Sequence, residues 1–366
     1  MLKVDSFNID DMKNELQEDD LRFLNLSGRK AFHSQGILGQ GVIVAVVDTG
    51  VSNHTELEGR ILRGRNFCNY RGSTNTEDDN GHGTHVAGSI AGTNVGIAPK
   101  TQILPVKVLS GDGDGNIKDI IKALQWIKEY KSKDGRKVSI VSISLSTNGQ
   151  KESEKDLGEF HESIKELVKS NLAVICSAGN SSIEEIRYPA VFKEVICVGA
   201  VDLEKKKALF STEGEHVDVC QIGVNVLSCW YKQSEYDYAV MSGTSMSTPI
   251  VSGIAALIAC KHKVALGEAI PEDYLWRNLK MSTKDLGIPG ADTKYGVGFC
   301  TLQPLQTNII VQHKNKTMIV NDQKIKLDKA PEIQEGRFML PARFISEATG
   351  AFIEFDKKEK SAKFIY

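Results

Sequence analysis

The chain has 366 residues, 41% of them apolar and 25% charged, and its formal net charge is −2. This is the make-up of an ordinary globular protein with room for one large domain and a small one. The near-zero charge gives no reason to expect a nucleic-acid partner, and no run approaches the ~18 apolar residues of a membrane span, so no membrane is expected either.

Residues 1–20 carry seven acids (Asp5, Asp10, Asp11, Glu15, Glu18, Asp19 and Asp20) against two lysines. This stretch reads as an acidic, solvated leader. It lacks the basic start and apolar core of a signal peptide, which points to the cytoplasm, to secretion by another route, or to a trimmed form of something longer.

From Gly41 the pattern changes to short apolar runs with little alternation: Val42–Val47, Ile103–Val108, Val138–Leu145, Ala173–Ser177 and Glu194–Val198. Such runs suit strands buried on both faces of a parallel sheet. Helical spacing separates them, with Ile117, Ile120, Ile121 and Leu124 on one face, then Phe160, Ile164, Leu167 and Val168. Ser247–Ala259 is apolar nearly all round and predicts a buried central helix. The alternation predicts a doubly wound, mostly parallel α/β sheet flanked by helices, with its active site at the carboxyl ends of strands.

After Gln303-Pro304 the texture changes again. Residues 308–366 hold 11 basic and 8 acidic residues. Alternating segments (Met318–Leu327, Ala351–Phe355, Ala362–Tyr366) flank one helical stretch, Pro341–Thr349, which predicts a small α+β domain. The expected organisation is a leader over 1–20, a catalytic domain over 21–306 and an accessory domain over 307–366. The seven cysteines are odd in number and form no C-x-x-C, so neither a disulfide framework nor a zinc site is expected. Cys176 and Cys197, inside apolar runs, read as small buried hydrophobes.

Four short motifs carry chemistry. Asp48 ends the run Val42–Val47 and precedes Thr49-Gly50. A carboxylate there needs a partner to offset its dehydration, although alone it also reads as a strand-ending turn residue. His82 lies in Gly81-His82-Gly83-Thr84-His85-Val86-Ala87-Gly88. His82 and His85 could be read as a metal pair, but there is no H-E-x-x-H and no third ligand nearby, so His85 reads as structural. Ser245 lies in Ser242-Gly243-Thr244-Ser245-Met246-Ser247-Thr248-Pro249, where a glycine turn feeds a helix with Pro249 in its first turn. Its position favours developing negative charge, and it equally fits a helix cap. Asn180, in Cys176-Ser177-Ala178-Gly179-Asn180, can donate hydrogen bonds at the same sheet edge or close an Asx turn.

Taken together these residues define an order, Asp then His then Ser, each in its own glycine-flanked motif. From about Phe32 to Leu302 the chain resembles the subtilisin-like serine proteases (subtilases, peptidase S8). The resemblance is carried by Asp48-Thr49-Gly50, His82–Gly88, Gly243–Pro249 and Ser177–Asn180, with Tyr295-Gly296-Val297-Gly298 as the closing segment. It implies a serine endopeptidase working through an acyl-enzyme, with a triad of Asp48, His82 and Ser245 and with Asn180 in the oxyanion hole. Protein or peptide substrates would bind as an added strand between Gly113-Asp114-Gly115 and Ser144-Leu145-Ser146. Ser146 stands where the family usually has glycine, which tightens the pocket rim. Arg187, just before Tyr188-Pro189, falls where the family places a small residue at the base of the pocket for the side chain before the cut. It predicts cleavage after Glu or Asp rather than Lys, Arg or a large aromatic, unless it turns outward to Glu184 or Glu185.

No cofactor is expected. Many family members hold calcium in a loop after the histidine helix, but Gly92–Pro99 is too short for that loop, and Glu56 then has no site to complete. Asp112-Gly113-Asp114-Gly115-Asn116 mimics a calcium loop without the later Glu of an EF-hand. The C-terminal module is similar to the copper amine oxidase N-terminal-like domain, through Ile319-Val320-Asn321-Asp322 and Gly336–Ile345. With His313 its only histidine, attachment or protein interaction is expected of it rather than copper chemistry. Two rivals stay open. One is a catalytically silent peptide-binding or regulatory homologue. The other is a non-peptidase serine hydrolase, which usually shows G-x-S-x-G, absent here.

Overall fold

The computed structural model describes residues 2–4, 7–68, 70–148, 152–182, 187–231, 234, 236–266 and 272–302. Beyond these it describes 309–311, 317–320, 323–327, 329–334, 337–339, 352–356 and 361–365. The chain divides into two compact units, one of residues 1–261 and 269–302 and the other of 262–268 and 303–366.

The first unit begins with strands β1 (Leu2–Val4) and β2 (Asn8–Lys13) and short helices α1 (Arg22–Leu26) and α2 (Arg29–His33). There follow β3 (Ile43–Asp48), β4 (Arg65–Asn66), α3 (His82–Ala91), β5 (Gln102–Lys107), β6 (Asp114–Gly115) and α4 (Ile117–Glu129). Next come β7 (Ile140–Ile143), β8 (Leu145–Asn148), α5 (Glu154–Lys169), β9 (Ala173–Ser177), β10 (Arg187–Tyr188), β11 (Ile196–Val201) and β12 (Val219–Ile222). β13 (Val226–Cys229), β14 (Tyr238–Ser242), α6 (Thr244–Leu266, as far as residue 261), α7 (Glu272–Met281), β15 (Thr283–Lys284) and β16 (Phe299–Cys300) complete it.

Nine strands form the main sheet in the order β15-β16-β12-β11-β9-β7-β3-β5-β4. Its described pairings are parallel except β15 with β16. The central strands β3, β7, β9, β11 and β12 are buried on both faces, which is why their apolar runs do not alternate. In β3, Val44 and Val46 enter one core while Ile43, Ala45 and Val47 enter the other. Burying each valine or isoleucine stabilises the fold by about 1.5–3 kcal/mol relative to exposure. α3 and α6 cover the first core through Val86, Ile90, Ile250 and Ile254. α4 and α5 cover the second through Ile120, Leu124, Phe160 and Ile164. From β3 the chain moves to β5 on one side and to β7 on the other, so the strand order switches at β3. The crevice beyond the carboxyl ends at such a switch point is where ligands bind in these sheets.

Three expectations change here. Val138–Leu145 is two strands, with β8 leaving the main sheet for a four-stranded sheet of order β10-β8-β1-β6. The break falls at Ser144, whose carbonyl and hydroxyl both turn to Ser245. Residues 1–20 are not merely a solvated leader: β1 pairs with β6 and β8, and β2 with β14. Pro249 lies in the second turn of α6 rather than the first. By length and apolarity Thr244–Lys263 could cross a membrane, but 94% of it is buried, as a central core helix should be.

The second unit contains antiparallel pairings of Ile309–Val311 with Thr317–Val320, Thr317–Val320 with Gln323–Lys326, Glu332–Gln334 with Arg337–Met339, and Phe352–Asp356 with Ser361–Ile365. The helical stretch expected over Pro341–Thr349 lies outside the described residues, as does His313.

Candidate active site

Asp48 ends β3 and His82 opens α3, both fully buried. His82 donates its Nδ1–H to Asp48 Oδ1 at 2.8 Å, and the backbone N–H of Thr49 donates to the same oxygen at 2.7 Å. The Asp48 carboxylate thereby fixes the imidazole tautomer and leaves Nε2 for chemistry; Nε2 makes no hydrogen bond among the described residues. The helix can lie this close because residue 83 is glycine. A Cβ there would collide with the carbonyl of Gly50 and stand 3.2 Å from the Asp48 carboxylate.

Sequence reasoning missed Asp78. Its buried carboxylate accepts from Thr49 Oγ1 at 2.9 Å, Gly81 N at 2.9 Å, Asn80 N at 3.0 Å, Thr84 N at 2.8 Å and Thr84 Oγ1 at 2.6 Å. It satisfies the N–H of Thr84 in the first turn of α3 and those of Asn80 and Gly81 just before it, and places an anion at the positive end of the helix. Through Thr49 it also ties that helix to the Asp48 turn. An acid a few residues before a helix start was the available signal. The partner 29 positions upstream was not visible.

Ser245 sits in the first turn of α6, buried. Its Oγ donates to Ser144 O at 3.3 Å, and Ser144 Oγ donates to Ser245 O at 3.3 Å. The Ser245 carbonyl is open to Ser144 because Pro249, four residues on, has no N–H to offer it. Asn180 Oδ1 accepts from Thr244 N and Thr244 Oγ1, both at 2.9 Å, which pins the amide beside Ser245. Its Nδ2 would lie 3.2 Å from a Cβ built on Gly243.

The segments expected to flank a substrate do flank a strand, and that strand is β1. Leu2 faces Gly115 and Lys3 faces Asp114 on one side, while Lys3 faces Ser146 and Val4 faces Leu145 on the other. Gly113 makes the turn before β6, donating its N–H to Ser110 O at 2.9 Å. Phe7 lies against His82, with ring centroids 5.0 Å apart. Arg187 opposes Asn148 on the far side of β8.

His85 is structural. Its Nε2–H is shared between the carbonyls of Val226 at 3.0 Å and Ala239 at 3.1 Å, and burial pushes its pKa down to about 3. Calcium does not fit the Glu56 region. The Glu56 carboxylate already accepts from Asn94 N at 2.6 Å, Asn94 Nδ2 at 2.8 Å and Tyr238 OH at 3.3 Å. The carbonyls of the short loop that follows are held by guanidinium groups, Gly96 and Asn94 by Arg29 and Pro99 by Arg60. In the other calcium-like loop, Asn116 Oδ1 caps α4 by accepting from Lys118 N at 2.8 Å, and Asp114 pairs with Lys3 at 3.2 Å. One histidine in residues 308–366 does not supply the donor set of a copper centre.

A carboxylate, an imidazole and a hydroxyl at the switch point of a parallel sheet, beside a slot that holds an extended strand, are the parts of a serine peptidase. Residues 39–298 match the Subtilase family and residues 300–364 the copper amine oxidase N-terminal domain. The major intracellular serine protease of Bacillus subtilis (strain 168) is 35% identical over 283 residues, which cover 74% of this chain and 83% of that protein. The intracellular serine protease of Paenibacillus polymyxa is 37% identical over 270 residues, covering 68% and 76%. Subtilisin BL of Lederbergia lenta is 37% identical over 237 residues, covering 63% and 81%. The chain belongs to the subtilase family. It is a serine-type endopeptidase with a small additional C-terminal domain.

Proposed function

We propose that this peptidase cuts peptide bonds through an acyl-enzyme formed on Ser245. The observation that carries the reading is the register of β1. Lys3 lies opposite Ser146 and Val4 opposite Leu145, so a substrate strand in the same register would bring its next residue opposite Ser144, whose carbonyl accepts the Ser245 hydroxyl. His82 takes the hydroxyl proton as Oγ bonds to the substrate carbonyl carbon. The proton then passes to the leaving amine as the C–N bond breaks, and water repeats the steps to free the acid. Asp48 holds the ring and stabilises its charged form. Asn180 and the Ser245 N–H hold the oxyanion, and loss of one such donor costs about 10²–10³ in kcat.

The chain's own β1 competes with substrate for this slot, so the described arrangement is a blocked one. Removing or displacing β1 restores access. Protein or peptide substrates are the partners this geometry takes, and neither a metal nor another cofactor is assigned a step. The names of the Bacillus subtilis and Paenibacillus polymyxa relatives support work inside the cell. Residues 307–366 are assigned to attachment or protein interaction.

A second reading, a silent peptide-binding homologue, is favoured by one observation: Ser245 Oγ bonds to Ser144 O rather than to His82. Catalytic hydrogen bonds often tighten only with substrate bound. A casein-type assay of the parent and Ser245→Ala, each with and without residues 1–13, separates the two. The peptidase reading expects cleavage that Ser245→Ala abolishes, and cleavage by neither form supports the silent homologue.

A further inference from the structure

The slot has a charged neighbour that the proposed reaction leaves unused. β8 lies between β1 and β10, and β10 places Arg187 opposite Asn148 and Tyr188 opposite Thr147. Arg187 also reaches the turn that follows β9. Gly179 there has φ +104°, and a Cβ built on it would lie 3.4 Å from Arg187 Cγ and 3.0 Å from Thr212 Oγ1. The arginine stem therefore packs on the bare face of Gly179, one residue from Asn180, and its Nε is buried. Arg187 thus bridges β8 and the Gly179-Asn180 turn.

The register identifies the substrate residue that meets it. With Lys3 opposite Ser146 and Val4 opposite Leu145, a strand in this register brings its next residue opposite Ser144. That residue owns the carbonyl nearest Ser245, so it is the one immediately before the cut. Its side chain is bounded by β8 and the Gly179-Asn180 turn, the two elements Arg187 joins.

We infer that Arg187 directs this peptidase to cut after an acidic residue, glutamate or aspartate. The inference rests on the serine-peptidase reading above and names its substrate class. A guanidinium matches a carboxylate in shape and charge and can bind it through two parallel hydrogen bonds. A lysine or arginine in the same slot adds a like charge away from water. A large aromatic has to displace the packed arginine stem. In this chain's own sequence the residue after Val4 is an acid, Asp5. Asp5, Glu184 and Glu185 lie outside the described residues.

The test uses matched peptides that differ only in Glu, Asp, Phe or Lys before the cut. They are assayed with the parent, Arg187→Gly and Arg187→Lys, each as the full chain and freed of residues 1–13, and normalised to sites titrated by a fluorophosphonate. The parent is expected to show kcat/KM at least tenfold higher for Glu than for Phe or Lys. Arg187→Gly should lower the Glu-to-Phe ratio at least tenfold, and Arg187→Lys should keep Glu above Lys. A parent that prefers Phe, or a ratio unchanged in Arg187→Gly at full titre, overturns the inference. Absence of any titratable Ser245, in the full chain and after residues 1–13 are removed, overturns the peptidase reading itself and this inference with it, so the two failures are told apart by the titre.

Discussion

Phe7 lies over His82, its ring plane tilted by 38° from the imidazole. The contact joins the N-terminal segment to the histidine proposed as the general base, and β1 fills the strand slot alongside. Deleting residues 1–13 should raise initial peptidase activity at least tenfold over the intact chain, and a synthetic peptide of residues 1–13 should inhibit the shortened enzyme. Equal initial rates, measured before any self-cleavage, would show that β1 does not block the slot.

The Asp78 carboxylate holds four donors at the start of α3 and a fifth from Thr49. Asp78→Ala leaves those buried donors without their acceptor, a loss of about 3 kcal/mol or more. Thermal unfolding should show a melting temperature several degrees lower. In the molecules that remain folded, kcat should fall more than KM rises, because the Asp48–His82 alignment loosens. A variant with parental stability would show that water replaces the carboxylate.

The main sheet was legible, and the candidate site residues could be named, because their signals are local. Doubly buried strands announce themselves as unbroken apolar runs, and Asp48, His82 and Ser245 each sit in a glycine-flanked turn that the backbone requires. The role of Asp78 was not legible, since its meaning depends on Thr49 arriving from another strand end. The fate of residues 1–20 was hidden for the same reason. Acidity in a sequence suggests side chains in water, whereas the backbone here pairs with edges of β6, β8 and β14 that exist only after folding. The split of Val138–Leu145 follows from Ser144 turning both its polar groups to Ser245, a tertiary event that an apolar pattern does not record.

Glu56 accepts hydrogen bonds from Asn94 and Tyr238, and Arg29 and Arg60 hold the neighbouring carbonyls. EDTA should therefore move the melting temperature by no more than about 1 °C, below the ~2–4 °C that 1 kcal/mol is worth in a domain of 150–250 residues. Glu56→Gln, which turns an acceptor oxygen into a donor against the Asn94 amides, should lower it by several degrees. A large EDTA effect reversed by calcium would contradict this account.

Burial holds the His85 pKa near 3, with the positive form of His82 adding to the effect. An unfolded histidine titrates at ~6.5. Between these values the unfolded chain binds a proton that the folded chain refuses, so this group removes stability as pH falls from about 6.5 towards 3 and contributes nothing above it. The ring ¹⁵N shifts of His85 should stay those of a neutral imidazole down to pH 4. Titration near 6.5 in the folded protein would contradict the buried geometry.

The central claim is that Ser245, activated by His82, is the nucleophile. It is tested most directly by treating the enzyme freed of residues 1–13 with a fluorophosphonate and locating the label by peptide mass spectrometry. The account predicts one label, on Ser245, that is lost in Ser245→Ala and falls by orders of magnitude in rate in His82→Ala. Label on another residue, or labelling of Ser245 at the same rate without His82, would contradict it.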